Sequence, residues 1–304
     1  VPTIRQNLQV EGIPIVRLES AHLQVDVAPS IGGRVISLVD KKSGYEFLWR
    51  NQGLRLELKP AGSEYDPNFY GGIDELLPND LAESINGVDC PDHGELWTTP
   101  LTAEVSDDAL VLRGRLSKFG LAYEREMRLR SHSPWLDFKY RIANTTNEPR
   151  QFLWKLHAAL SVQAGDGIEC PARQAQIVDP AWSRFKSTGP FAWPNLEGRA
   201  ANVIPPRDGT MDFFYLFDLT AGEMFWRRPD AGLKFGYRFD TRVFPYAWLF
   251  ASYGGFLGHS RSFSNLARPC RCRSTTPPAN TNAHGSTRAK FWKPVSAFTP
   301  GRHN

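Results

Sequence analysis

Two stretches of period-two alternation constrain this chain more than anything else in it. Leu136, Phe138, Tyr140 and Ile142 alternate with Asp137, Lys139 and Arg141. Phe152, Trp154, Leu156, Ala158, Leu160 and Val162 then alternate with Leu153, Lys155, His157, Ala159 and Ser161. Successive side chains of a strand point to opposite faces, so each stretch reads as a long strand with one face in a core. Shorter runs repeat the pattern at His22–Ala28, at Arg34–Val39 after Gly32-Gly33, and at Tyr45–Trp49 after the turn Lys41–Gly44. Asp107-Asp108, Gly120, Ser131–Pro134 and Asn144–Pro149 punctuate the series. Helical periodicity is weak throughout, its best candidate being a short turn near Asp80–Ile85. The Trp/Pro-rich stretch from Pro180 to Pro206 reads as a long surface loop. Such a meander predicts an all-β chain, an antiparallel sandwich or barrel forming one large domain over residues 1–259.

At 304 residues, 41% hydrophobic and 22% charged, the chain can bury a sizeable core and is too apolar to stay disordered. It has no apolar run of about 18 residues, so no membrane span is expected. The first twenty residues carry charges throughout and lack an apolar h-region, and four scattered cysteines make no disulfide framework. The expectation is a cytoplasmic domain. The net charge of +4 conceals an asymmetry, because residues 260–304 hold eight Lys/Arg and no Asp or Glu, leaving the body mildly acidic. A basic tail without interleaved aromatics on a folded scaffold is no nucleic-acid footprint, so neither nucleic acid nor membrane is an expected partner.

The densest polar cluster is Asp89-Cys90-Pro91-Asp92-His93-Gly94-Glu95-Leu96-Trp97, a loop running into a strand. His93 beside a carboxylate suits acid/base chemistry, since imidazole titrates near working pH; a loop histidine that only caps a strand is the plainer reading. Cys90, Asp92 and His93 lack a second spaced ligand pair, so no metal is expected. His157 sits mid-strand on the polar face with Lys155 and Ser161, as a strand lining water or a ligand would place it. Tyr70-Gly71-Gly72-Ile73-Asp74-Glu75 sets two glycines before two acids, as close backbone approach requires. Phosphate-cradling loops, His-Glu-x-x-His and Gly-x-Ser-x-Gly are all missing from the sequence.

Taken in order, these segments resemble the galactose mutarotase-like (aldose 1-epimerase) superfamily. The resemblance runs through Gly32-Gly33-Arg34-Val35 with Asp40–Gly44 and Leu48-Trp49, then Gly71-Gly72, His93-Gly94 and His157. It ends at Phe244-Pro245-Tyr246-Ala247-Trp248 with Tyr253-Gly254-Gly255, and so covers roughly residues 20 to 258. It implies an antiparallel β-supersandwich with a concave sugar site, acting on a small-molecule sugar without metal or cofactor. It also implies that His93 contacts the sugar and that His157 is the general acid at the ring oxygen. Asp74, Glu75, Glu95, Trp97 and Asp240 are the candidate substrate-binding residues, with Asp212 a further candidate for the family's mid-chain aspartate. Both histidines would have to reach one sugar ring, so their rings should lie within about 10 Å in one groove.

Two features depart from the family. The substrate-binding Asn-Arg pair is missing near position 71, and no glutamate follows Tyr253-Gly254-Gly255 where the family keeps its general base. Codon arithmetic bears on the second. Read from the third base of each codon, Lys290-Phe291-Trp292-Lys293 must encode Ile or Val followed by Leu-Glu, which resembles the family's final strand. Residues 260–304 are therefore read as an irregular tail translated out of frame, against a native extension of low complexity. Two functions follow from different classes. One is an aldose 1-epimerase-like isomerase, impaired if its base is lost. The other is a carbohydrate-binding protein without catalysis.

Overall fold

The computed structural model describes residues 1–256 together with the backbone of 263–267, 270–272 and 294–298. Its strands pair antiparallel into two large sheets, and its only helical elements among the described residues are single 3-10 turns. The larger sheet begins with Thr3–Val10, Ile13–Glu19, Leu23–Ala28 and Arg34–Asp40, and continues through Ile73–Leu76 to Phe152–Ser161. Beyond that strand come 263–267, Ala247–Ser252, Met211–Leu219 and Ala172–Ile177. The smaller sheet contains Leu110–Leu116, Leu121–Leu129, Trp135–Asn144, Leu233–Arg238 and Glu223–Arg228. Val35, Ile73, Leu156 and Leu160 of one sheet share a single apolar cluster with Leu112, Met127, Phe138 and Phe235 of the other.

The two alternating stretches form the strands expected of them, Trp135–Asn144 and Phe152–Ser161. The second differs in one respect. Residues Trp154 to Leu160 are buried on both faces, because the even-numbered residues meet the intersheet core while the odd-numbered ones lie under a covering layer. That layer comes from two segments crossing the larger sheet, Tyr65–Phe69 and Asp92–Trp97, and it builds the site.

Two expectations need correction. Asp80–Ile85 is no helical turn: Glu83–Ile85 pairs with Val88–Cys90 as a hairpin around Asn86-Gly87, both with positive φ, the turn chemistry such hairpins use. The stretch from Pro180 to Pro206 is not a surface loop. It carries three two-residue strands and buries Phe185, Phe191, Leu196 and Ile204 against the core, while Trp182 stays exposed. The expectation of an irregular tail falls mostly outside the described residues; within 260–304, the described 263–267, 270–272 and 294–298 are strands. Residues 263–267 lie between Ala247–Ser252 and Phe152–Ser161, while 294–298 lie between Trp135–Asn144 and Leu233–Arg238. Sheet edges are completed by backbone N–H and C=O groups, which every non-proline residue supplies whatever its side-chain pattern. The segment Lys290–Lys293, on which the frame argument turns, lies outside the described residues.

Candidate active site

The register of the larger sheet fixes the site's floor. His157 stands opposite Asp74, and Leu156 opposite Glu75, so the two adjacent acids point to opposite faces of the sheet. Gly71 and Gly72 make this possible at the strand's entry. Both have positive φ, and a Cβ at Gly72 would lie 2.4 Å from the carbonyl oxygen of Val35, so only glycine lets the chain approach that closely.

Asp74 is the hub. Its buried carboxylate accepts from Arg34 Nη2 at 2.7 Å, Tyr65 Oη at 2.8 Å and His157 Nδ1 at 2.9 Å. Burial alone would raise its pKa, but the Arg34 guanidinium, then His157 and Tyr65, hold the carboxyl below the usual carboxylate range. A carboxylate acceptor at Nδ1 assigns a proton to that nitrogen, which leaves Nε2 of His157 to exchange a proton with a ligand. Tyr65, whose hydroxyl also lies 3.0 Å from His157 Nδ1, has its pKa pushed well up by burial and by Asp74, so it remains a neutral donor.

The structure brings His93 to the same place. Its ring stacks on that of Tyr65 at 3.9 Å with planes 4° apart, and the Tyr65 ring is 6.0 Å from that of His157. His93 adopts φ +58°, rare for a residue with a Cβ, ahead of Gly94. Its backbone N–H donates to Asp80 O at 2.8 Å, and its Nδ1 lies 2.8 Å from Asp92 Oδ1. Asp80 also takes the ammonium of Lys155, which sits 3.6 Å above the ring of Trp248. Lys155 is almost wholly buried, and burial lowers its pKa from 10.5 to about 8 against the pull of Asp80.

This gives a pH signature. A lysine with a depressed native pKa leaves the folded state holding fewer protons than the unfolded state between pH 8 and 10.5, so its contribution to stability rises with pH across that window. The unfolding free energy of the wild type should therefore gain on that of Lys155→Met as pH is raised from 8 to 10.5, measured by urea titration. A constant difference would show that the ammonium is not desolvated.

The other expected site residues lie elsewhere or play other parts. Glu75 faces the intersheet core, where it takes Arg125 Nη1 at 2.7 Å and Trp154 Nε1 at 2.9 Å with no exposure. Glu95 caps a loop by accepting the backbone N–H groups of Lys118 and Phe119. Trp97 is a support, packed edge-on behind Tyr65 at 5.2 Å. Asp240 sits in the turn leaving Leu233–Arg238 and is bound to Arg242, while Asp212 is buried against Ser183 and Tyr253. The four carboxylates among these already neutralise or cap structural partners. Cys90 is buried, its thiol pushed up to about 11 chiefly by burial, and among the described residues no three His, Cys, Asp or Glu side chains converge to hold a metal. A cleft of about 310 Å³ lined by Ile168, Trp193, Glu223 and Phe225, among others, shares no residue with the histidine cluster.

Sequence reasoning missed Arg34, Tyr65, Asp66 and Asp80. Arg34 carried the clearest signal, a buried cation opening a mostly apolar strand. Asp66 opens a 3-10 turn, Asp66–Asn68, that lies between Tyr65 and Phe69, and the Phe69 ring is 5.2 Å from that of His157.

A family model described as a domain of unknown function (DUF5107) matches residues 7–73. No curated protein matches the chain. Solved structures do. A TPR-domain containing protein from Parabacteroides distasonis superposes with a TM-score of 0.67 at 16% identity, over 94% of this chain and 47% of that one, so the chain spans about half of that relative's length. A protein put forward as an aldose 1-epimerase from Escherichia coli K12 gives 0.64 at 16% identity over 94% of this chain and 98% of that one. A galactose mutarotase-like protein from Lactobacillus casei gives 0.59 at 15% identity, covering 94% and 99%. The chain has the galactose mutarotase-like fold. Among its described residues no helix is long and apolar enough to cross a membrane.

Proposed function

We propose that the chain is an aldose 1-epimerase-like isomerase that interconverts the anomers of a sugar by acid/base ring opening. The observation that carries this reading is the His157–Asp74 pair. A mid-strand imidazole is held through Nδ1 by a buried carboxylate, itself locked by Arg34 and Tyr65, with Nε2 left to act. Nε2 has no partner among the described residues, as a group that exchanges a proton with a ligand requires. The likeness in fold to proteins whose names include aldose 1-epimerase and galactose mutarotase supports the reading.

In the proposed reaction the protonated His157 gives its Nε2 proton to the ring oxygen as the bond from the anomeric carbon breaks. The open-chain aldehyde then rotates and recloses with the opposite configuration. His93, anchored by Asp92 and stacked on Tyr65, holds a sugar hydroxyl. The test is exchange NMR on D-glucose, D-galactose and D-mannose with catalytic amounts of protein. Cross-peaks between α and β anomers should appear at rates above the buffer's. Saturable shifts of sugar resonances without added exchange would instead favour the carbohydrate-binding alternative, for which half-exposed rings of Phe213, Tyr215 and Phe250 beside Trp248 offer a surface.

A further inference from the structure

Anomer exchange needs a second group, one that takes the proton of the anomeric hydroxyl while His157 serves the ring oxygen. Four aspartates surround the two imidazoles, and three are engaged. Asp74 is committed to Arg34, Tyr65 and His157. Asp80 holds Lys155. Asp92 takes His93 Nδ1 at 2.8 Å and the backbone N–H of Tyr65 at 3.2 Å. The fourth is Asp66, whose side chain makes no hydrogen bond or ion pair among the described residues, although its charge acts on both His93 and His157.

We propose that Asp66 is the general base of this site, accepting the anomeric proton opposite His157; the assignment rests on the anomer-exchange reading above. Its placement is fixed by the chain on either side. Tyr65, immediately before it, is pinned between the two imidazoles. Pro67 follows, and the Phe69 N–H closes the turn on Asp66 O at 3.3 Å. The residue keeps surface open to solvent while its carboxylate is partly desolvated by the neighbouring site, which leaves it accessible to a ligand.

The charges that act on its carboxylate are those of His93, His157, Asp92 and Asp80. Burial raises the Asp66 pKa first, Asp92 and Asp80 push the same way, and the two imidazoles oppose them without cancelling the rise. A carboxylate of raised pKa is a stronger base than an ordinary aspartate, as this step wants. The step balances without any redox partner. Asp66 takes the proton from the anomeric hydroxyl, and the freed pair forms the aldehyde C=O. The bond from the anomeric carbon to the ring oxygen breaks, and that oxygen takes its proton from His157. Reclosure on the other face runs the same transfers backwards.

The experiment compares wild type, Asp66→Asn and Asp66→Glu by exchange NMR on D-glucose and D-galactose from pH 4 to 9. Side-chain NMR of the histidines is recorded alongside. Asp66→Asn should slow exchange by about 10²-fold or more and remove the acid limb of the wild-type profile, and Asp66→Glu should restore part of the rate. Removing the charge should also lower the titration midpoints of both His93 and His157, a readout independent of turnover. A wild type that exchanges anomers while Asp66→Asn does so equally fast would overturn the assignment and leave the isomerase reading standing. A wild type with no exchange would remove both. Unmoved imidazole midpoints in Asp66→Asn would show that the carboxylate does not face them, and would overturn the assignment alone.

Discussion

Replacing His157 by glutamine is expected to slow anomer exchange by about 10²–10⁴-fold, the contribution of one positioned acid/base group. Glutamine approximates the reach of the imidazole and can still donate a hydrogen bond to Asp74, so the hub should survive. An amide cannot deliver a proton to the ring oxygen, so the chemical step should not. The two effects separate in experiment: the rate constant from exchange NMR should collapse while the urea midpoint moves little. Asp74→Asn should act on the same step less directly. It keeps the shape but removes the charge that selects the proton on Nδ1, so its rate should fall and its pH profile shift. Glutamine at position 157 turning over at the wild-type rate would leave the proposed chemistry without its acid.

The largest effect on stability should come from the opposite face of the same sheet. Arg125→Met removes the guanidinium that neutralises Glu75 where neither side chain is exposed. Trp154 Nε1 alone cannot compensate a buried carboxylate, so the variant should lose about 3–5 kcal/mol. Arg125 also donates to the carbonyl oxygen of Gly33, which would lose that donor as well. The double variant Arg125→Met/Glu75→Gln should recover most of the loss, because it takes away the unpaired charge rather than one side of the pair. Urea denaturation of wild type, single and double variants reads this directly. A single variant within 1 kcal/mol of wild type would mean that water reaches Glu75.

The pair Asp74-Glu75 shows what the sequence could and could not reveal. Two acids after two glycines were visible as a feature of the site, and strand alternation already required them to face opposite ways. Which one met the histidine depended on register, and register depends on partners far along the chain: Arg125 lies 50 residues from Glu75, and His157 lies 83 from Asp74. The strand pattern itself was legible because it is local. The placement of His157 was legible because a titratable residue on a mostly apolar strand is costly unless it is held. Tyr65 and Asp66 gave no comparable signal, since a single 3-10 turn has no periodicity to read. Glu95 looked like a site residue because it neighbours His93 in sequence, yet the turn after Gly94 directs its carboxylate to the backbone of Lys118 and Phe119. In the tail, composition spoke only for side chains, whereas strand pairing at 263–267 and 294–298 is a backbone matter.

Those two late segments also set the order in which the molecule can be finished. Each occupies an interior position of its sheet, flanked on one side by a strand made a hundred residues or more earlier and on the other by a later strand. Until they emerge from the ribosome, Phe152–Ser161 and Ala247–Ser252 face an empty lane, and so do Trp135–Asn144 and Leu233–Arg238. Phe152–Ser161 and Trp135–Asn144 therefore wait with an open edge through the synthesis of about a hundred residues or more, and their closure depends on contacts of that separation. Slow folding and a need for shielding against edge-to-edge association follow from that topology alone.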